Sequence, residues 1–231
     1  MTQSQKNQLL CIWSGPVFVV LFAIGFFFCA GFLPPHSPSA GADEVAAIFR
    51  DNASMIRLGQ VIMLLGSSMA LAFVGVLSTQ LRRIETGLPV FTFVQLAAGI
   101  SVVVLLVVPC LLWIVAAFRP ERAPELTQLL NDAAWLMLLT PFAPAGVQLL
   151  AVGFAVLGDR VAVPVFPRWV GFFNIWVAVL FLPGGLIPFF KSGPFAWNGL
   201  FGFWVPAIAF FGWFLTMTMV MRQSIKRQSA T

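Results

Sequence analysis

The sequence predicts an all-α, polytopic integral membrane bundle of six transmembrane helices, and three observations carry that expectation. First, 60% of the 231 residues are hydrophobic and only 9% are charged. An ordinary soluble domain carries roughly a quarter charged residues, and a soluble globule this apolar would expose far more than the tolerated patches of about a few hundred Å². Second, the stretches 9–33, 58–80, 89–118, 133–157, 169–190 and 199–221 contain no Asp, Glu, Lys, Arg or His. Each is long enough for a spanning helix, which needs about 20 mainly apolar residues. Third, runs such as 17–33 and 100–118 are almost continuously apolar, whereas barrel strands alternate in polarity. The spans fill most of the chain, so residues 1–231 read as a single transmembrane domain.

The first stretch reads as a retained span. Its apolar run is longer than the core of a signal peptide, and Phe28 and Cys29 give no convincing small-x-small cleavage site. The connections then alternate between two faces. With the chain start inside, Lys6, Arg82, Arg83, Arg160, Arg168, Arg222, Lys226 and Arg227 lie on the inner face. They outnumber Arg50, Arg57, Arg119, Arg122 and Lys191 on the outer face. The positive-inside rule therefore predicts both chain ends inside, and the bases sit where anionic lipid headgroups would meet them. This arrangement gives no footprint for nucleic acid. A bacterial inner membrane is the expected location.

Two outer connections carry helix signals. Val45, Ile48 and Phe49 recur at helical spacing after Asp43 and Glu44. Leu126, Leu129 and Leu130 do so after Pro124, which suits a first helical turn. Both segments, 42–53 and 124–132, are expected to be short amphipathic helices lying in the outer interface. They also align with each other. Cys29 and Glu44 are spaced as Cys110 and Glu125 are, and Asp51 then matches Asp132. The third and fifth spans open alike, with Leu88-Pro89-Val90-Phe91 and Val163-Pro164-Val165-Phe166. These matches suggest three repeated helical hairpins in one orientation.

Several spans contain helix breakers. Pro109, Pro141, Pro144 and Pro206 lie within them, and Pro183-Gly184-Gly185-Leu186-Ile187-Pro188 should unwind the end of the fifth. The small-residue pairs Gly66/Ala70 and Ala151/Ala155 permit close helix approach.

Most standard chemistries have no residues to run on. His36 is the only histidine, and no HExxH, GxSxG, P-loop or dinucleotide fingerprint is present. No metal or cofactor is expected. No span holds a carboxylate for a proton relay, and the absence of Tyr excludes tyrosyl catalysis. Cys11, Cys29 and Cys110 lie in apolar stretches and read as small buried hydrophobes.

The remaining candidates for ligand contact are sparse. Gln148 and Asn174 are neutral polar groups deep in spans. Arg57, Asp132, Lys191, Trp197 and Asn198 stand at span ends on the outer face. Arg57, Lys191, Trp197 and Asn198 are expected to line one outer pocket floored by the Pro183–Pro188 break. Trp, Lys and Arg at such positions also serve as ordinary membrane anchors. The leading expectation is a non-enzymatic protein, in contact with membrane lipids, that binds or passes a small apolar or amphipathic molecule. The alternative is an accessory or scaffolding subunit, docked on a membrane protein partner or on further copies of itself.

Overall fold

A computed structural model of the chain describes residues 2–228, and within them every regular element is helical. Six helical stretches are long and apolar enough to cross a membrane, running Gln3–Cys29, Ala42–Leu81, Val90–Phe118, Pro124–Gly158, Arg168–Phe189 and Leu200–Arg227. The chain is an integral membrane protein.

The first span comprises α1 (Gln3–Ile12), α2 (Ser14–Ala23) and a π-helical segment, Ile24–Cys29. A capping box starts α1. The Gln5 amide donates to Thr2 Oγ1 at 3.3 Å, and the Thr2 amide donates to Gln5 Oε1 at 2.7 Å. The second span, α3 (Ala42–Leu81), is one helix of 40 residues, kinked where Asn52 leaves helical geometry at φ −124°. The third is α4 (Val90–Phe118). The Glu85 carboxylate caps it, accepting from the Phe91 amide at 2.9 Å and from the Thr92 amide and hydroxyl at 2.8 and 2.6 Å. These bonds satisfy donors that a helix start leaves open.

Both segments expected as interfacial helices are helical and lead into spans, the first set off from the rest of its span by the Asn52 kink. Residues 42–51 form a helical stretch of their own before that kink. Their apolar stripe faces protein: Val45 and Phe49 are buried, and Phe49 packs on Phe32. Residues 124–132 open α5 (Pro124–Leu139). There Leu126 and Leu129 are exposed, while Thr127, Asn131, Ala134 and Trp135 turn inward.

The fourth span, expected as one helix, breaks between α5 and α6 (Phe142–Gly158). Pro141 has no N–H to continue the ladder, and the Thr140 hydroxyl bonds back to the Leu136 carbonyl at 2.5 Å. The fifth span is α7 (Arg168–Phe181), and its Pro/Gly segment tightens to 3₁₀ helix over Leu182–Phe189. The sixth opens with a π-helical turn, Leu200–Trp204, and continues as α8 (Val205–Arg227).

The face bearing Gln8, Arg83 and Ser224 is closed by a polar clasp joining α1, α3 and α8. Arg83 donates to Gln80 Oε1 at 2.7 Å and to Ser224 Oγ at 3.0 Å, and Gln80 donates to Gln8 Oε1 at 2.5 Å. In the interior, Trp213 of α8 donates to Asn174 Oδ1 of α7 at 2.8 Å. A buried indole N–H and a carboxamide thereby satisfy each other where water is absent.

Candidate functional site

The bundle encloses an apolar cavity of about 430 Å³ between the first, third, fourth, fifth and sixth spans. Four of the departures from α-helical geometry border it; the α1–α2 junction and the Asn52 kink do not. Phe26 and Phe27 come from the first π-helical segment, Pro141 and Phe142 from the α5–α6 break, Gly184 from the 3₁₀ segment, and Phe203 and Trp204 from the second π-helical turn. Regular helices pack into each other's grooves; here the helices bend at a common level and leave space between them. Two breaks also pack on each other. A Cβ at Gly184 would come within 3.0 Å of the Leu139 carbonyl oxygen, and one at Gly185 within 2.8 Å of the Phe142 ring. Only glycine lets the 3₁₀ segment approach so closely.

No Asp, Glu, Lys, Arg or His lines the cavity. Ile208, 72% exposed on the outside of the bundle, and the exposed Trp204 stand at its edge, so it reaches the lipid-facing surface. A second cavity of about 20 Å³ adjoins it as a small extension, sharing Val102, Leu106, Ala145, Phe181 and Phe210 with its lining. Gln148 and Trp213 line this extension.

Above the cavity lies an aromatic cap. Phe26 and Phe203 of the lining touch Trp135, with ring centroids 5.7 and 6.2 Å apart. Trp135 stacks on Trp197 at 6.2 Å with the rings 11° from parallel, and Trp113 and Phe32 complete the layer. The 30–41 connection is tied over it by three hydrogen bonds. Trp197 donates to the His36 carbonyl at 2.8 Å, Gln128 to the Ala40 carbonyl at 2.9 Å, and Ser39 to the Lys191 carbonyl at 3.1 Å. The His36 ring packs edge-on against Trp135 and Phe32. Burial among these rings pushes the His36 imidazole below its ordinary value, outweighing the opposing effects of Asn131 and Glu44.

The residues expected at the site do not gather on the large cavity. Arg57 turns back along its own helix, donating to the Ala53 carbonyl and to Ser54 Oγ, both at 3.2 Å. Lys191 is exposed, close enough to the half-buried Asp132 to act on its charge. Trp197 is buried in the cap, and Asn198 is half-buried beside it in the chain. Asn174 spends its carboxamide on Trp213 and the Val170 carbonyl. None of these borders the large cavity, although Gly184 from the Pro183–Pro188 break does. Gln148 alone reaches its extension. Among the described residues, no three His, Cys, Asp or Glu side chains gather to hold a metal ion.

Neither His36 nor the cavity lining carries a sequence signal of its place in the cap or the cavity. The lining is Phe, Leu, Ala and Pro inside apolar spans, which carry no local signal of facing a void rather than lipid. The small-residue pairs are used within the chain's own bundle. Gly66 lies against Leu21 and Phe18, and Ala70, Ala151 and Ala155 are buried.

No protein-family model, curated protein or solved structure matches this chain.

Proposed function

We propose that this protein is a non-enzymatic membrane protein that takes up a small apolar or amphipathic molecule from the bilayer into its central cavity. The reading rests on the cavity itself, about 430 Å³ and bordered by both π-helical segments, the 3₁₀ segment and the α5–α6 break. Its size falls in the range of about 300–1,000 Å³ typical of small-molecule sites. Non-α turns inside spanning helices are characteristic of functional positions. The exposed edge at Ile208 and Trp204 supports loading sideways from lipid, while the cap over Trp135 and Trp197 separates the cavity from the aqueous face.

The same reading puts the face with Arg82, Arg83, Arg160, Arg168, Arg222, Lys226 and Arg227 in the cytoplasm of a bacterial cell. Membrane-impermeant maleimide applied to intact cells tests this. Ser192→Cys should label, and Gln223→Cys should label only after lysis; both positions are exposed. The reverse pattern inverts the orientation.

Native mass spectrometry after mild extraction tests the function. A small-molecule adduct on the wild-type chain that disappears in Ala145→Trp, which fills the cavity, supports the reading. An adduct retained by that variant overturns it. A stoichiometric second polypeptide with the cavity empty would favour an accessory subunit instead.

A further inference from the structure

We infer that the cavity's occupant is a neutral amphiphile, an alcohol or ketone, whose single polar group is held by Gln148 near the middle of the membrane. The inference rests on the ligand-binding reading of the cavity.

Gln148 is only 6% exposed and lines the small cavity adjoining the large one, one helical turn beyond Ala145, which lines both. Among the described residues its carboxamide has no hydrogen-bond partner. A primary amide offers two N–H donors and an acceptor oxygen, and leaving these unmet in apolar surroundings costs free energy. Two polar groups nearby already have partners. Trp213 donates to Asn174, and Gln95 Oε1 accepts from Ser78 at 2.6 Å. Gln95 Nε2, one turn from Gly99 on α4, is itself buried without a partner. Gly99 makes the room for Gln148, since a Cβ there would come 2.7 Å from Gln148 Nε2.

Depth and charge set the chemical class. Gln148 precedes Asp159, at the end of α6, by about 16 Å at 1.5 Å per residue, roughly half the hydrocarbon thickness. No charged side chain lines the cavity or its extension, so a carboxylate or phosphate would enter without a counter-charge, at high cost. A hydroxyl or carbonyl can pair with the amide and carries no charge. At the ~30 Å³ of a water-sized group in a liquid, 430 Å³ holds on the order of 15 non-hydrogen atoms. This excludes a two-chain phospholipid and fits a medium-length or polycyclic amphiphile.

The test measures binding of tritiated 1-dodecanol to the full chain in nanodiscs, with 2-dodecanone, dodecane and dodecanoate as competitors corrected for partitioning. Dodecanol and dodecanone should compete about five- to tenfold better than dodecane, the worth of one buried neutral hydrogen bond, and dodecanoate should be the weakest. Gln148→Leu should abolish the preference for alcohol over alkane while dodecane still binds, which also shows that the variant is folded. Gly99→Ala, which pushes the amide aside, should weaken the same preference and decides the matter if the leucine variant does not fold. A preference unchanged in both variants, or dodecanoate binding as well as dodecanol, overturns the role of Gln148 and leaves the cavity reading standing. If no probe binds above empty nanodiscs, or Ala145→Trp leaves binding unaltered, the cavity reading fails and this inference fails with it.

Discussion

Gly25 of the first span and Gly59 of α3 face each other so closely that a Cβ on either would strike the other's carbonyl oxygen. The contact seats the Ile24–Cys29 segment against α3, and the neighbouring Phe26 and Phe27 line the cavity. Gly59→Ala should force the two backbones apart. The expected loss is about 1–3 kcal/mol of stability, the usual cost of overpacking. Thermal unfolding in nanodiscs checks this, and an unchanged midpoint would contradict the packing.

The Trp197 indole is the main tie of the 30–41 connection. Trp197→Phe keeps a ring against Trp135 and leaves the His36 carbonyl without its donor. Amide exchange over residues 31–41 should accelerate by roughly an order of magnitude, while exchange in α4 stays unchanged. A net hydrogen bond of about 1 kcal/mol sets that scale.

His36 makes the cap sensitive to pH. Burial holds its folded pKa below the ordinary 6.5, so the folded state resists a proton that the unfolded state accepts. The sign follows from linkage: stability is complete above about pH 6.5 and falls as pH drops below that value toward the folded pKa. Unfolding midpoints measured between pH 7.5 and 5 should fall in the wild type, and His36→Gln should flatten that part of the profile.

Glu85 governs the start of α4. Burial alone would raise its carboxyl, but the hydrogen bonds from Thr92 and Phe91, with Arg82 nearby, outweigh it and hold the group below the usual carboxylate range. Its contribution is therefore present above about pH 4.5 and lost as pH falls through the folded pKa. Glu85→Gln should cost about 0.5–2 kcal/mol at neutral pH, the range for lost helix caps. It should cost less near pH 3, as comparative unfolding at the two pH values would show.

The spans were legible because burial in lipid requires long charge-free runs, and such runs are visible residue by residue. So was a break from α-helix at Pro183-Gly184-Gly185, since proline and glycine act locally, although the segment tightens to 3₁₀ helix instead of unwinding. Of the expected contact residues only Gln148 borders the cavity's extension, and its polarity marks it in an apolar helix. Arg57, Lys191 and Trp197 look alike in sequence as polar or aromatic residues at span ends. Only the path of the 30–41 connection turns Trp197 inward while Lys191 stays exposed. The packing of the 42–53 stripe on protein was not legible because an amphipathic stripe has the same pattern whether it meets headgroups or Phe32.

A crystal pressurised with xenon tests the central claim most directly, because xenon enters apolar voids whatever their natural occupant. The account predicts xenon, or density for a retained small molecule, between Phe26, Ala145, Gly184 and Phe211. Spans closed on one another there, with xenon only on the lipid-facing surface, would contradict it.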